Sequence, residues 1–454
     1  MVLASKNKLD KLLGLEAYIT ETSGIGGVIR KNIEDFIVKE ITLDGKVCSH
    51  ETKINDIAGE YTCFILEKRG IDTLTAFRII ARYFRVSSKS FSAAGLKDAK
   101  AITFQIACTD SISPDELRKF KDEGNKVFIH DIFTLPFKVK PGMLYGNLFE
   151  ITIRNLKVDN SEFVRKSIEK IYEEILDSGG VPNYYGYQRF GTIRPNTHIV
   201  GKYILSKKFE EAVKEILLRV YPYESPKSKE ARRFLAETWN LEKALELFPK
   251  RLHHERKLLY YLIKHKDDYI GALRSLPIQV RRLYIGAYQA YLFNKVLSRR
   301  LLKEFLPKDV LPGDIVILLE NKESIKIKGV LRVSEGMTNE IGKLVETGKA
   351  CIAHNVFGYK SIISHGIPGE IELEVLEEEG ISIDDFKLKH MPEVASQGSL
   401  RAISFYPINF EYRLLYPEDD VLAIFTKFIL KKGIYATVFL RELMKPENIV
   451  EAGF

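Results

Sequence analysis

"SAAGLKDAKAITFQ", residues 92–105, sets an adjacent Lys97 and Asp98 in a short turn between apolar stretches. Gly, Lys and Asp are ordinary turn residues, so by itself the motif reads as a turn. The run that follows, "AITFQIACT" (101–109), has the β-branched and aromatic content of a strand. The turn therefore places a carboxylate beside an ammonium at the mouth of a buried strand. Working outward, "GGVIRKNIEDFIVKEIT" (26–42), "GEYTCFILEKRG" (59–70) and "NLFEITIRNL" (147–156) show the same near-period-two pattern and predict further strands. Between them, "DTLTAFRIIARYFRV" (72–86) and "SEFVRKSIEKIYEEILDSGG" (161–180) carry apolar residues at helical spacing, with an Asp or Ser near the start and a Gly pair closing the second. This first region reads as α+β.

The character of the chain changes near residue 192. From about 199 to 305 the pattern is almost wholly helical, as in "KKFEEAVKEILLRVY" (207–221) and "RRLYIGAYQAYLFNKVLSRRLL" (281–302). From about 313 to 376 strands are expected to return, in "GDIVILL" (313–319), "IKIKGVLRV" (325–333) and "GEIELEVL" (369–376). "SLRAISFYPINFEYRLL" and "VLAIFTKFILKKGIYATVFLRELM" then predict two or three strands and a short helix. An order of α+β, helical, β and again α+β is what one domain inserted into another produces. No fixed-period repeat or low-complexity tract is present.

With 454 residues, 45% of them hydrophobic, the chain can bury a large core, and its length suggests two or three domains. No apolar run approaches the roughly 18 residues of a membrane span, and "MVLASKNKLDKLLGLEAY" breaks its apolar residues with charges where a signal peptide needs an uninterrupted core. A soluble, cytoplasmic protein is expected. Cys48, Cys63, Cys108 and Cys351 show no C-x-x-C pair and are expected to be reduced thiols. Lys and Arg number 69 against 61 Asp and Glu, an excess of +8 that favours a polyanionic partner only if it is clustered. The densest basic region is 250–303, with "PKRLHHERK", "QVRRLY" and "SRRLLKEF"; solvated helix faces explain most such runs.

Familiar catalytic signatures are missing: there is no G-x-x-x-x-G-K-[ST], H-E-x-x-H or G-x-S-x-G, and no two histidines stand at metal-ligand spacing. "GIGG" (24–27) opens a strand and reads as a tight turn, not a phosphate cradle. His253 and His254 are adjacent, so on a helix they diverge by about 100° and read as surface residues. "VPNYYGYQRFG" (181–191) surrounds Asn183, Gln188 and Arg189 with Tyr184, Tyr185, Tyr187 and Phe190. Such a set can stack on bases and bond their edges, or it can simply pack a corner.

Taken in order, "EDFIVKE" (34–40), "GLKDAKAITFQ" (95–105), "GNLFEITIRN" (146–155), "VPNYYGYQRFG" (181–191) and "GIYATVFLREL" (433–443) resemble the TruD family of tRNA pseudouridine synthases. The match spans nearly the whole chain, and the length and helical insertion are similar to the archaeal and eukaryotic branch. The resemblance implies an α+β catalytic domain, a mixed sheet with flanking helices, carrying an inserted TRUD-type α/β domain. The expected division is 1–191 with 397–454 for the catalytic domain and 192–396 for the insertion, mainly helical to about 305 and then strand-rich.

The resemblance also assigns roles. Asp98 falls at the family's catalytic aspartate and is the expected nucleophile, and whether it attacks C1′ or C6 or takes the C2′ proton is open. A nearby cation would keep such a carboxylate ionised, and Arg441 in "FLREL" is the expected ion-pair partner. Lys97, whose neighbour points to the opposite face in an extended segment, is expected to meet RNA phosphate or support the turn. Phe149 is expected to stack on the target base, which leaves the acceptor of the C5 proton unassigned because related families carry Tyr there. Asn147 offers an amide to base or ribose, Phe36 and Tyr435 line the pocket or pack the core, and Arg30 is a candidate phosphate ligand. Gln188 and Arg189 join the expected substrate-binding set. Ile33 stands where the family often has Pro before "EDF", a departure confined to the local turn.

The implied substrate is tRNA, usually uridine 13 in the D arm, which has to be flipped out of the fold to react. No metal and no redox or small-molecule cofactor is implied, and a monomer is expected. The basic helices of 250–303 would supply phosphate contacts on the opposite wall of an RNA-binding cleft. Two rivals remain: a synthase of the same chemistry with another RNA target, and a non-catalytic RNA-binding protein, which would be expected to lack the carboxylate at 98.

Overall fold

The computed structural model of the protein describes residues 2–157, 160–321, 323–416 and 422–454. The chain divides into two compact units, Thr22–Tyr172 with Tyr406–Gly453, and Met1–Glu21 with Glu173–Phe405 and Phe454.

The first unit is built on a mixed sheet. Its strands are β1 (Gly26–Val28), β2 (Phe36–Ile41), β3 (Tyr61–Arg69), β4 (Ser92–Ala93), β5 (Ile102–Thr109), β6 (Val127–Leu135), β7 (Gly146–Leu156), β8 (Ile408–Leu415) and β9 (Ala423–Lys431). The order is β8-β9-β7-β2-β5-β3-β6, with β1 on β7 and β4 on β5, and only β2 and β5 run parallel. β3 is buried from Thr62 to Lys68, so it reads as a continuous apolar run interrupted by Glu67 and Lys68. Helix α1 (Thr73–Phe84) starts at Asp72, whose carboxylate caps the Thr75 amide, and stops at Arg85 in the left-handed region. Its Ala76, Phe77, Ile80 and Ala81 pack with Phe64 and Leu66 of β3, while Leu74, Arg78 and Arg82 face outward. Helix α2 (Ala436–Met444) is buried along its whole length. Gly146 opens β7 because a side chain there would collide with the Leu430 carbonyl of β9.

The second unit is organised around the 25-residue helix Ile278–Leu302, with shorter helices at Thr197–Leu205, Phe209–Leu218, Pro226–Thr238 and His253–Lys264 sharing its apolar core. A four-stranded antiparallel sheet follows, ordered Ile327–Arg332, Ile315–Leu319, Ala350–Val356 and Ser399–Ala402. The helical stretch and the strands of 313–333 are as expected, but "GEIELEVL" is not a strand. It lies in the helix Gly366–Glu379, with Ile371, Val375 and Leu376 turned inward at helical spacing and Gly380 ending it in the left-handed region. The alternation of Glu with Ile, Leu and Val has period two on paper. Pro368 in the first turn and the run of glutamates favour the helix instead.

The cysteine expectation also needs correction. Cys63 of β3 and Cys108 of β5 lie directly opposite in the antiparallel register, with Cα atoms 4.0 Å apart, and their sulfurs are bonded. Their sequence separation of 45 carries no local signature; register alone brings them together. Cys48 and Cys351 lie outside that bond.

Candidate active site

Strand pairing puts one set of the sheet's polar residues on a common face, while Lys39, Glu67 and Glu150 lie on the other. Val38 pairs with Thr103, Lys68 with Thr103, Leu66 with Gln105, Glu40 with Asn147, Phe36 with Ile151 and Phe149 with Phe428. Because directly paired residues share a face and alternate residues along a strand do too, Phe36, Glu40, Lys68, Gln105, Asn147 and Phe149 all belong to the face that α1 covers. Glu40 and Lys68 occupy positions that the period-two pattern reserves for apolar side chains.

Those residues hold the 95–98 turn. Gln105 Nε2 donates to the Gly95 carbonyl at 2.9 Å, and its Oε1 accepts from Thr73 Oγ1 at 2.9 Å. The Lys97 amide donates to that same Thr73 hydroxyl at 3.0 Å. The Lys97 ammonium turns inward to Glu40 Oε2 at 2.9 Å, and Glu40 Oε1 accepts the Ile106 amide at 3.2 Å. Lys68 Nζ donates to the Asp98 backbone carbonyl at 2.6 Å.

The Asp98 carboxylate points the other way. Its side chain is 56% exposed and is met by Arg30, 8% exposed, with Nη2 at 3.2 Å from Oδ2. Arg30 also donates from Nη1 to the Gly453 carbonyl at 3.0 Å, and its guanidinium lies 4.1 Å from the centre of the Phe36 ring. Burial lowers the Arg30 pKa and Asp98 opposes that shift. Arg30 sits at φ 59, in the left-handed region that a non-glycine residue occupies at a cost. The residue expected as a phosphate ligand is therefore Asp98's cation here. Arg441, expected in that role, is fully buried on α2 with Nη1 3.8 Å from Glu442 Oε1.

The expected pocket residues occupy neighbouring strands. Phe149 is 7% exposed, stacked on Phe428 at 5.5 Å between ring centroids and edge-on to Phe36 at 6.3 Å. Asn147 Oδ1 is buried with no hydrogen-bond partner among the described residues, an acceptor that a ligand's N–H or O–H would satisfy. Tyr435 is half-buried at the N-cap position of α2. Ile33 begins a short 3-10 turn closed by an Asn32–Asp35 capping box, so that turn forms without Pro.

Gln188 and Arg189 belong to the other unit, in the turn Tyr187–Arg189. Around them Tyr184, Tyr187 and Phe190 are buried: Tyr184 bonds Ser298 at 2.9 Å, Tyr187 donates to Asp10 at 2.6 Å, and Asn183 and Arg401 bond each other. The aromatics of this motif pack a corner. Arg189 itself lies against Gly286, where any side chain would displace its guanidinium.

The basic helices of 250–303 differ from expectation. Arg300 is buried and bidentate to Asp314 at 2.6 and 3.0 Å, Arg281 pairs with Glu393, Arg299 reaches Glu374 and Glu378, and Lys295 and Lys303 meet glutamates as well. The acidic run of 370–380, folded as a helix, supplies the partners of Lys295, Arg299 and Lys303. His253 and His254 are exposed, as expected. In the first unit, by contrast, Arg78, Arg82 and Arg85 are exposed and make no ion pair within 4 Å among the described residues.

Sequence reasoning missed Arg30's place beside Asp98, and missed Lys68, Glu40, Gln105 and Thr73 altogether. The usable signal was the charge at 68 and 40 on the apolar face of otherwise apolar strands. Among the described residues no cluster of three His, Cys, Asp or Glu side chains is placed to hold a metal ion.

A family model described as tRNA pseudouridine synthase D (TruD) matches residues 12–443. A probable tRNA pseudouridine synthase D of Methanosarcina mazei is 35% identical over 444 residues, 96% of this chain and 98% of that protein. The corresponding Pyrococcus abyssi protein is 36% identical over 431 residues, 94% and 98%. The crystal structure of the Methanosarcina mazei TruD candidate superposes with a TM-score of 0.80 at 34% identity, covering 97% of this chain and 99% of that one. With a family match over nearly the whole chain and similarity along both units, the chain belongs to the TruD family.

Proposed function

We propose that this chain is a tRNA pseudouridine synthase that isomerises uridine 13 in the D arm. The observation that carries the reading is the Asp98 carboxylate, half in solvent on a turn whose backbone is held from the sheet, with the Arg30 guanidinium on one oxygen. The reaction breaks the uracil N1–C1′ bond, forms C5–C1′, puts a proton on N1 and releases the C5 proton. It needs one ionised carboxylate at the sugar or base and no change of oxidation state. Asp98 is the nucleophile in this reading, Phe149 and Phe36 face the flipped base, and Asn147 offers its unpaired oxygen to a base or ribose donor. Tyr435 and Lys97 add substrate contacts on the same unit, with Arg441 as a supporting cation, and Gln188 and Arg189 are proposed to contact the RNA from their own unit. Arg30 pairs with Asp98 in this reading.

The chain acts as a cytoplasmic monomer in this reading, without metal or organic cofactor. No helix among the described residues is long and apolar enough to cross a membrane. The catalytic domain would comprise 1–191 and 397–454 and the inserted domain 192–396. That division follows the motifs, and the compact units of the structure divide at other points. A pseudouridine map of RNA from cells with and without the chain tests the assignment. Loss of pseudouridine at tRNA position 13 supports it, and loss at another site instead moves the target.

A further inference from the structure

Lys68 has no role in the chemistry above, yet the chain buries it completely. Its side chain is 0% exposed on β3, opposite Thr103, and Thr103 Oγ1 has no hydrogen-bond partner among the described residues. An ammonium carries three protons to donate, and here one bond is formed, to the Asp98 carbonyl at 2.6 Å, with no carboxylate within 4 Å among the described residues. Burying an ammonium so sparingly paired costs several kcal/mol before compensation, and methionine would fill the same space without that cost. The lysine is explained by what it holds. The charged groups around it are Asp98 and Asp72, which favour its charge, and Lys97, which opposes it.

We infer that Lys68 is the positioning residue of the catalytic turn: by fixing the backbone carbonyl of Asp98 from beneath, it sets where the carboxylate stands above the sheet. The other anchors act on Gly95 and Lys97; Lys68 alone, among the bonds described, grips residue 98 from the sheet side. The carboxylate is then oriented from two ends, the main chain by Lys68 and the side chain by Arg30. This rests on Asp98 being the reactive group, but it can be tested without activity.

In Lys68→Met, amide hydrogen exchange over residues 95–101 should rise at least tenfold relative to the rest of the sheet. Single-turnover pseudouridine formation at saturating enzyme should fall about 100-fold, the scale of a displacement of roughly 1 Å in a reacting group, while the dissociation constant for unmodified tRNA transcript stays within threefold. Should Lys68→Met not fold, Lys68→Ala assayed with added ethylamine takes its place, and the amine should restore at least tenfold of the lost rate. Unchanged exchange over 95–101 in a folded variant overturns the inference, and so does a single-turnover rate within threefold of wild type. A loss of rate that tracks a fall in melting temperature and is not rescued by amine also overturns it. If the wild-type chain makes no pseudouridine, the functional reading fails, and the exchange measurement still decides this one.

Discussion

Arg30→Met isolates the ion pair at the heart of the site. Methionine keeps an unbranched stem beside Phe36 but removes the 3.2 Å pairing with Asp98, the 3.0 Å bond to the Gly453 carbonyl and the guanidinium over the ring. Two unit charges at that separation attract by about 1.3 kcal/mol in water-like surroundings and about 5 kcal/mol at an effective dielectric constant near 20. The guanidinium is buried but the carboxylate is half in solvent, so the lower part of that range applies, about 1 to 3 kcal/mol. If that interaction orients the reacting carboxylate, its loss slows the chemical step roughly 10- to 100-fold, at about 1.4 kcal/mol per decade. Stability should change by no more than about 1 kcal/mol, because the cost of burying the guanidinium disappears together with its favourable interactions. Single-turnover kinetics at saturating enzyme read the chemical step without the binding step. A variant that binds tRNA less tightly but turns over at the wild-type rate when saturated would show Arg30 to be a phosphate ligand, and would refute its role at Asp98.

Three further outcomes follow from the same geometry. Burial lowers the Lys68 pKa to about 8 from 10.5, so between those values the unfolded chain binds more protons and folding stability should rise with pH. Relative to Lys68→Met the rise should approach about 3 kcal/mol, and parallel denaturation profiles at pH 7.5 and 10.5 would contradict it. Lys97→Met strands Glu40 in the sheet and should cost about 3 kcal/mol or more in urea unfolding; unchanged stability with weakened tRNA binding would instead favour the phosphate contact, the other of its two expected roles. Replacing Arg78, Arg82 and Arg85 by Gln should flatten the salt dependence of tRNA binding by roughly 0.7 to 0.9 for each phosphate no longer neutralised, whereas Arg299→Gln, already held by Glu374 and Glu378, should leave the slope unchanged.

The sequence was most legible where periodicity and punctuation agreed. Asp72 and Arg85 bracket α1 almost where the 72–86 pattern placed it, and β2, β3, β5 and β7 fall on the four strand-like runs. It misled where two periods coincided: "GEIELEVL" alternates like a strand, while its glutamates and its neighbours Pro368 and Gly380 signal the helix. Pairings set by register were out of reach. Cys63 and Cys108, Lys68 and Asp98, and Arg30 and Asp98 meet across strands and loops whose pairing no local pattern encodes. The same limit explains the basic helices: Arg299 and Arg300 looked like a phosphate-binding face because the carboxylates that neutralise them arrive from 314 and from 374–378.

The central claim is that Asp98 carries out the isomerisation, and release of the C5 hydrogen reads that event directly. With a tRNA transcript labelled with tritium at C5 of uridine, the purified wild-type chain should release tritium to solvent in step with pseudouridine formation. Asp98→Asn should release none, while its tRNA affinity stays within a few-fold of wild type, since the amide keeps the side chain's shape but neither attacks nor accepts a proton. Tritium release by Asp98→Asn at a near-normal rate would contradict the account.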